Sequence, residues 1–417
     1  MRANPERVAW RVMIASFAAF LLLCGGSIYL VQWYFFESDI DLTAELMPAR
    51  GTVRMLAPSA GIEEAVTDRR SDQGLPFEVS TDTSQAAIRF SDPRSGTPLA
   101  SVILLHDSDV SVLEATGPRY PVNRDPYRIQ LESSSGRVEI VVTGGQNEGT
   151  SVTLATPHGT TLLEEPGHYI VETTADRTRV TVNRGIATIR APLTNALVEV
   201  PAGHRTTIDR SQDLPTIVAG DDTLLTNGDF SEPFVEGWTF YDDSVLPAGA
   251  VANLPFDGRN SLAIDRSAAN WPGVTLDHGE TGLRQQVDKD VRGYSYLELR
   301  GTFLVEEQSL STCGQAGSEC PMMIRIKYID VQGIEREYIQ GFYAYHDPSR
   351  DYPLTCDTCR TEHERINLGT WYTFKSGNLF TVLPPEQKPA IIQQVRFYAS
   401  GHAYKVYVSE MQLLSAS

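Results

Sequence analysis

The chain has 417 residues, of which 53 are acidic and 35 are lysine or arginine, so its formal net charge is −18. This excess of negative charge argues against nucleic acid as a partner, because phosphate backbones are bound by clustered basic side chains. A chain of this length is expected to fold into two or three domains.

An uncharged apolar run occupies residues 12–36, near the N-terminus. As a helix, with a rise of 1.5 Å per residue, the run would span roughly 37 Å, which is enough to cross a bilayer with some tilt. Arg2, Arg7 and Arg11 precede the run, and acidic residues follow it. Because positive charge is retained in the cytoplasm, we predict a cytoplasmic tail at residues 1–11 and extracytoplasmic domains after the run.

Two kinds of processed signal are alternatives to a permanent anchor. The apolar core of a cleaved signal peptide is roughly 7–15 residues long and is followed by small residues, whereas this run is longer and ends in the aromatic residues 33–36. A lipoprotein signal has a small residue before the modified cysteine, but here Leu23 precedes Cys24. We therefore predict that residues 12–36 are an uncleaved, single-pass signal anchor.

The remainder of the chain is predicted to be all-β. In its first half, residues 127–132 and 138–142 alternate between apolar and polar side chains, and turn residues between them predict a hairpin. A further hairpin is predicted through the turn at 183–185. The predicted units are a polar stalk at 37–50, a β domain at 51–210, a linker at 211–222 and a second β domain at 223–417.

The first β domain resembles FecR-type domains. The resemblance lies in ATPHGTTLLEEPGHYIV at 155–171, TRVTVNRG at 178–185 and VEVPAGH at 198–204. It implies an extracytoplasmic module of the kind used in bacterial envelope signalling, where a cytoplasmic segment controls a sigma factor. The eleven residues before the anchor are too short to fold into such a regulator.

The second β domain is similar to galactose-binding-like jelly rolls, the fold of many carbohydrate-binding modules. The matching segments are LTNGDFSEP at 225–233 with Gly237-Trp238, GLRQQV at 282–287, and VYVSEMQLL at 406–414. The resemblance implies a β-sandwich and leaves the ligand open.

The same resemblance implies a structural calcium ion between the opening turn and the last strand. Asp229 or Glu232, together with Glu410, occupy the matching positions, and Glu410 stands where the family usually has aspartate. Carboxylate oxygens are ligands that calcium prefers. The alternative is that these residues are surface carboxylates beside a turn.

Four cysteines lie in the second domain, at positions 313, 320, 356 and 359. Their even number and their location on the oxidising side of the membrane favour disulfides. We predict the pairs Cys313–Cys320 and Cys356–Cys359, because the members of each pair are close in sequence. A zinc site formed by the four cysteines and a redox-active Cys-x-x-Cys at 356–359 are the alternatives.

Trp271 is the candidate ligand-binding residue, because Asn270 and Pro272 place it in a loop where its ring could stack on a sugar. The alternative is that it is buried, as we expect for Trp238. The adjacent pairs of histidine and carboxylate at 346–347 and 363–364 lack the spacing of metal or catalytic sites. We therefore predict that the protein is not an enzyme.

These observations predict a membrane-tethered protein of the bacterial cell envelope that binds a glycan or another envelope polymer, or acts as a scaffold. The alternative function is signal reception of the FecR type, in which the chain acts through a protein partner in the membrane.

Overall fold

The computed structural model describes residues 5–57, 61–71, 74–144, 149–209 and 215–416. The chain begins with helix α1 (Pro5–Gln32), which continues into a short π-helix (Trp33–Glu37). Within the segment Glu6–Glu37, the most apolar 18-residue window has a mean hydropathy of 2.1 and is not buried against the rest of the protein. By length and composition it could cross a membrane or serve as a signal sequence.

The predicted all-β class is confirmed for the rest of the chain. The strands of the first domain are β1 (Asp39–Asp41), β2 (Thr43–Arg50), β3 (Val53–Ala57), β4 (Ile62–Val66), β5 (Phe77–Thr81), β6 (Gln85–Ser91), β7 (Pro98–Leu104), β8 (Ser108–Pro118), β9 (Tyr127–Val142), β10 (Thr150–Thr156), β11 (Gly159–Leu163), β12 (Gly167–Thr173), β13 (Arg177–Arg184), β14 (Ile186–Arg190), β15 (Leu197–Pro201), β16 (His204–Asp209) and β17 (Thr216–Ala219).

In the described residues, these strands form two sheets that share β9. Sheet 1 has the order β4-β3-β5-β8-β9-β10-β11-β14-β15, with β1 also paired to β8. Sheet 2 has the order β2-β6-β7-β9-β12-β13-β16-β17. Apolar side chains from both sheets, such as Val79 and Ile140, are buried in a common core. This is the arrangement of a β-sandwich.

The long strand β9 corrects the hairpin predicted between 127–132 and 138–142. Residues 133–135 do not reverse the chain but continue the pairing with β8. At Gly136, where φ is +87°, the strand leaves sheet 1 and joins sheet 2. A single bent strand replaces the turn because glycine reaches positive φ without steric cost.

The turn at 183–185 also differs from the predicted hairpin. Strand β13 pairs within sheet 2, whereas β14 pairs within sheet 1, so Gly185 marks a change of sheet. The hydroxyl of Tyr169 lies beside this glycine and donates to the carbonyl of Glu165 at 2.8 Å. A Cβ on Gly185 would lie 2.3 Å from that hydroxyl.

The segment expected as a polar stalk, residues 37–50, lies largely in strands β1 and β2, which pair with β8 and β6. Leu42, Ala44 and Leu46 are buried in the core of the first domain. Their period-two spacing places them on one face of the chain, which explains why the segment folds into the sandwich despite its acidic residues.

The second domain contains β18 (Asp222–Thr223), β19 (Thr239–Asp242), β20 (Ala250–Asn253), β21 (Leu262–Arg266), β22 (Gly279–Asp290), β23 (Tyr296–Gln308), β24 (Met322–Asp330), β25 (Glu335–Tyr343), β26 (Glu364–Arg365), β27 (Tyr372–Lys375), helix α2 (Leu379–Val382), β28 (Pro389–Gly401) and β29 (Tyr404–Ala416), with short 3-10 helices at Ala268–Asn270 and Pro385–Gln387. Sheet 3 has the order β20-β21-β29-β23-β27, with β18 also on β29, and sheet 4 has the order β19-β22-β28-β24-β25-β26. These two sheets enclose a separate apolar core that includes Trp238.

The predicted linker at 211–222 is only partly visible, because residues 211–214 lie outside the described residues. Strand β17 pairs with β16 of the first domain, and β18 pairs with β29 of the second. The chain therefore passes from one domain to the other between Ala219 and Asp222.

Sheet 3 of the second domain packs on sheet 2 of the first. The two surfaces share an apolar cluster composed of Met47, Ala87, Ile103 and Leu105 from the first domain and Ala263, Leu304, Trp371 and Tyr407 from the second. Hydrogen bonds between the two domains are buried beside this apolar cluster. The side chain of Gln85 donates to the carbonyl of Thr373 at 2.9 Å and accepts from its amide at 3.2 Å. Apolar burial and satisfied polar groups together hold the domains against each other.

The bend in β9 gives a first prediction. Replacing Gly136 by alanine should destabilise the protein by about 2 kcal/mol or more, because the residue has positive φ and its Cβ would meet the carbonyl oxygen of Asp107 at 2.4 Å. Thermal unfolding of the two proteins measures the change. Gly149→Ala is the matched control, since a Cβ there meets nothing within 4 Å. Equal melting temperatures for Gly136→Ala and the wild type would contradict this account of the bend.

Candidate functional site

The outward face of sheet 4 is the open sheet surface of the second domain, because sheet 3 is covered by the first domain. Side chains alternate along its strands. Leu283, Val395 and Ile324 point into the core and are fully buried, so their neighbours in sequence point outwards. In the register of the sheet, outward residues of β22, β28, β24 and β25 form two adjacent rows.

We call these two rows the arginine face. The first row contains Arg284, Arg396 and Arg325, and the second contains Gln286, Gln394, Lys327 and Glu337. Arg284 and Gln286 are exposed, and the others are partly exposed. The surface therefore offers guanidinium and amide groups to solvent on the three neighbouring strands β22, β28 and β24, with the Glu337 carboxylate of β25 beside them.

Two tyrosines border the arginine face. Tyr241 and Tyr398 lie in the next row of the sheet, on either side of Gly282. The Arg396 guanidinium lies 4.5 Å from the ring centroid of Tyr398 and 5.2 Å from that of Tyr241. Such distances are typical of cation–π contacts. Planar groups are thus stacked along this edge of the face.

Glu280 contacts both a tyrosine and an arginine at this edge of the arginine face. Its carboxylate accepts from the Tyr241 hydroxyl at 2.9 Å and pairs with Arg396 at 3.2 Å. Burial, with a further contribution from the Glu280 charge, raises the pKa of Tyr241 well above its ordinary value. The hydroxyl therefore stays protonated at physiological pH, and the edge is fixed in one arrangement.

The arginine face can form several hydrogen bonds with a polyhydroxylated ligand. A guanidinium presents donors in a rigid fork, and an amide side chain offers both donors and an acceptor. The Gln394 amide donates to that of Gln286 at 3.2 Å, which links the amides of two neighbouring strands. An open sheet surface of this kind suits an extended ligand, since neither end of the ligand is blocked.

The cysteines are placed next to this surface. The sulfur atoms of Cys313 and Cys320 are 1.93 Å apart, and those of Cys356 and Cys359 are 2.00 Å apart, so both predicted pairs are at disulfide distance. The first pair packs with Tyr398 and Tyr343 over the end of sheet 4. The ring of His363 lies within 4.8 Å of both pairs. The loops that contain these cysteine pairs therefore lie along one side of the arginine face.

The three residues proposed for calcium do not form an oxygen cage. Asp229 is exposed and accepts from the Ser231 hydroxyl at 2.9 Å, and Glu232 is exposed as well. Glu410 is buried at the domain interface, where its carboxylate accepts from the Asn183 and Gln412 amides at 3.1 and 2.8 Å. Nitrogen donors surround this carboxylate, whereas calcium needs six or more oxygen ligands, so the arrangement does not fit calcium.

Trp271 lies on the surface, as predicted, with 37% of its area exposed, and Trp238 is buried in the core of the second domain. Trp271 follows the 3-10 helix Ala268–Asn270, next to sheet 3, and makes no ring contact with another described aromatic residue. It is therefore separate from the arginine face.

Sequence analysis missed the arginine face. The alternation of Arg325 and Lys327 with buried isoleucines indicates one half-buried sheet surface. However, Arg284 and Arg396 lie more than 40 positions from Arg325 along the chain, and the register that aligns them with Arg325 is not visible in any local pattern.

Comparison with solved structures gives distant likenesses. The chain is similar to a protein of Parabacteroides distasonis described as an anti-sigma factor, with 12% identity and a TM-score of 0.26 over 40% of this chain and 68% of that one. It is similar to the family 11 carbohydrate-binding module of a Clostridium thermocellum cellulase, with 12% identity and a TM-score of 0.26 over 48% of this chain and 96% of that one.

A third likeness is to the CBM22-1 xylan-binding domain of a Paenibacillus barcinonensis protein, with 14% identity and a TM-score of 0.27 over 48% of this chain and 98% of that one. Likeness at these values carries no argument about ligand or activity. No protein-family model and no curated protein matches the chain.

The cysteine geometry gives a second prediction. Alkylation of the unfolded protein without a reductant should add one group, at Cys24, and alkylation after reduction should add five, because the chain has five cysteines and Cys24 is the free one. Intact-mass spectrometry counts the added groups. Five additions without a reductant would contradict the disulfides and favour the zinc alternative.

Proposed function

We propose that the chain is a single-pass membrane protein that binds an envelope glycan or another envelope polymer on the arginine face. The observation that carries the proposal is the pair of outward rows on sheet 4, where arginine and amide side chains from the three strands β22, β28 and β24 meet beside two tyrosines. A polymer of sugar units presents a repeating series of hydroxyl pairs, which such forked donors and acceptors bind well.

The proposed location is the outer side of the cytoplasmic membrane, with the N-terminus in the cytoplasm. The arginines at positions 2, 7 and 11 precede the apolar helix and support this orientation. Cysteine pairs at disulfide distance also support it, because disulfides persist in oxidising compartments. We further propose binding without turnover, since the carboxylates beside the arginine face, Glu280 and Glu337, are each paired with an arginine.

A test of glycan binding uses the full chain in nanodiscs and a panel of cell-wall and capsular polysaccharides. At least one polymer should be retained, and the double variant Arg284→Ala/Gln394→Ala should bind it at least about 10-fold more weakly, since each side chain lost removes hydrogen bonds to the ligand. Both residues have exposed or partly exposed side chains, so the fold should be unaffected.

Arg292→Ala is the matched control, because Arg292 is an exposed arginine paired with Asp290 beyond the end of the arginine face. It should bind like the wild type. If no polymer in the panel binds, or if the double variant binds as tightly as the control, the proposal fails.

Signal reception through a membrane partner is a second candidate function. One observation favours it: the helix passes into the first domain without a flexible segment. Strand β1 starts two residues after the π-helix, and the rings of Tyr34 and Phe35 lie 5.2 and 4.9 Å from the ring of Tyr120. A displacement of the exterior could therefore be transmitted to the helix.

This candidate gives its own prediction. Inserting a flexible Gly-Ser segment between Ser38 and Asp39, or replacing residues 12–36 by an unrelated apolar span, should abolish signalling and leave polymer binding intact, because each change uncouples the helix from the exterior. Transcriptome profiling of cells with the native and altered chains measures the response. Identical profiles would exclude signalling through the helix and leave tethered binding.

A further inference from the structure

A cavity of about 700 Å³ lies between the two domains, away from the arginine face. Its first wall is formed by residues of β9, β12, β13 and β16, and its second by residues of β23, β27 and β29. Cavities of this size, at the junction of two domains, are typical of small-molecule sites.

The deep end of the cavity carries an excess of positive charge. Arg137, Arg300 and Lys375 line it, and the carboxylates that act on them are Glu139, Glu298 and, at Arg137, Glu172. Glu298 forms a salt bridge with Arg300 and Glu172 pairs with Arg179, which leaves Glu139 as the carboxylate shared by Arg137 and Lys375. These two cationic groups therefore have one carboxylate between them, in a chain whose overall charge is −18.

Donor groups at this end also lack partners. The Nε and Nη2 atoms of Arg137 are buried without a hydrogen-bond partner among the described residues. Glu139 is the carboxylate nearest to them, at 3.6 Å, which is too long for a hydrogen bond. The ammonium group of Lys375 likewise makes no hydrogen bond or ion pair within the described part of the chain. Buried donors in native proteins are almost always satisfied, so the two Arg137 atoms indicate a missing acceptor, and Lys375 lines the same cavity.

The other side chains of the cavity suit a hydroxylated molecule. Tyr296 contributes an aromatic ring, and Asn183 and Gln412 contribute amides. The remaining charged side chains are paired in part: Arg179 with Glu172 at 3.6 Å, and Arg205 with Asp221. A negative group at the deep end and hydroxyl groups toward the opening would match these partners.

We propose that the cavity binds an acidic saccharide whose carboxylate pairs with Arg137 and Lys375. This site is independent of the arginine face, and the proposal does not rest on polymer binding there. Both domains contribute to it, since Arg137 belongs to the first and Lys375 to the second.

The environment of Lys375 makes this binding depend on pH. Burial, with further contributions from the charges of Arg137 and Arg300, lowers the pKa of Lys375 to about 7, and the carboxylates Glu139 and Glu298 oppose that shift. A bound carboxylate favours the charged ammonium and raises this pKa. Affinity is therefore highest below pH 7 and falls as Lys375 loses its proton, by about 10-fold between pH 6 and pH 8.

Isothermal titration calorimetry of the full chain in nanodiscs tests the proposal, with galacturonate, galactose and inorganic phosphate as probes at pH 6 and pH 8. Galacturonate should bind, about 10-fold more weakly at pH 8, and more tightly than either other probe. Lys375→Met should weaken galacturonate binding at pH 6 and remove its pH dependence. Lys405→Met is the matched control, because Lys405 pairs with Glu306 at 3.2 Å outside the cavity.

If galactose binds as tightly as galacturonate, the ligand carboxylate plays no part in binding. If phosphate binds more tightly than galacturonate, the cavity is a site for a small anion and not for an acidic saccharide. Absence of galacturonate binding, or unchanged binding by Lys375→Met, would overturn the site. Arg284→Ala/Gln394→Ala should bind galacturonate like the wild type, which separates this outcome from failure of the arginine face. Arg137→Met is a less suitable variant, because it leaves Glu139 buried without its partner.

Discussion

Sheet 3 of the second domain lies against sheet 2 of the first domain, and the rest of the structure depends on this contact. It removes one sheet of the second domain from solvent and leaves the other as the open surface. It also encloses the cavity between the domains. The pairing of Gln85 with the backbone of Thr373 shows how closely the surfaces fit, since a side chain takes the place that a neighbouring strand would occupy. Hydrogen bonds of this kind across the contact favour a fixed orientation of the two domains.

Charged groups inside this contact constrain it further. Glu139, Arg259 and Glu410 are almost fully buried, and burial of a charge costs free energy unless partners from the surroundings compensate for it. Here many of those partners come from the opposite domain: Arg259 donates to Ser101 at 2.9 Å, and Thr373 donates to Glu139 at 3.2 Å. Separation of the domains would therefore leave ions without partners, so the two domains are expected to unfold and act as one unit.

Local patterns predicted much of the fold. The alternation within β24 could be recognised in the sequence because one face of this strand is buried and the other is partly exposed. The continuous strand β9 was not readable, because the residues at 133–136 are common in turns and only the pairing with β8 keeps them extended. Likewise, Leu42 and Leu46 become core residues through contacts with distant strands. Glu410 was singled out because it matches the calcium position on the last strand of the resembled family, but its partner Asn183 lies in the other domain, 227 positions away. The candidate sites depend on register and domain packing, neither of which a local segment encodes.

The junction between α1 and the first domain is short, which limits how far from the helix the two β domains can meet a ligand. A binding domain on a long flexible tether can reach a large volume above the membrane. The effective concentration of the domain falls as this volume grows. Here β1 follows the apolar helix directly, and Tyr120 packs on the rings at its end. If α1 crosses the membrane, as we propose, the β domains are confined to a thin layer next to the lipid surface with a restricted tilt. Polymers that run close to the bilayer would be met often, and those anchored far above it would be out of reach.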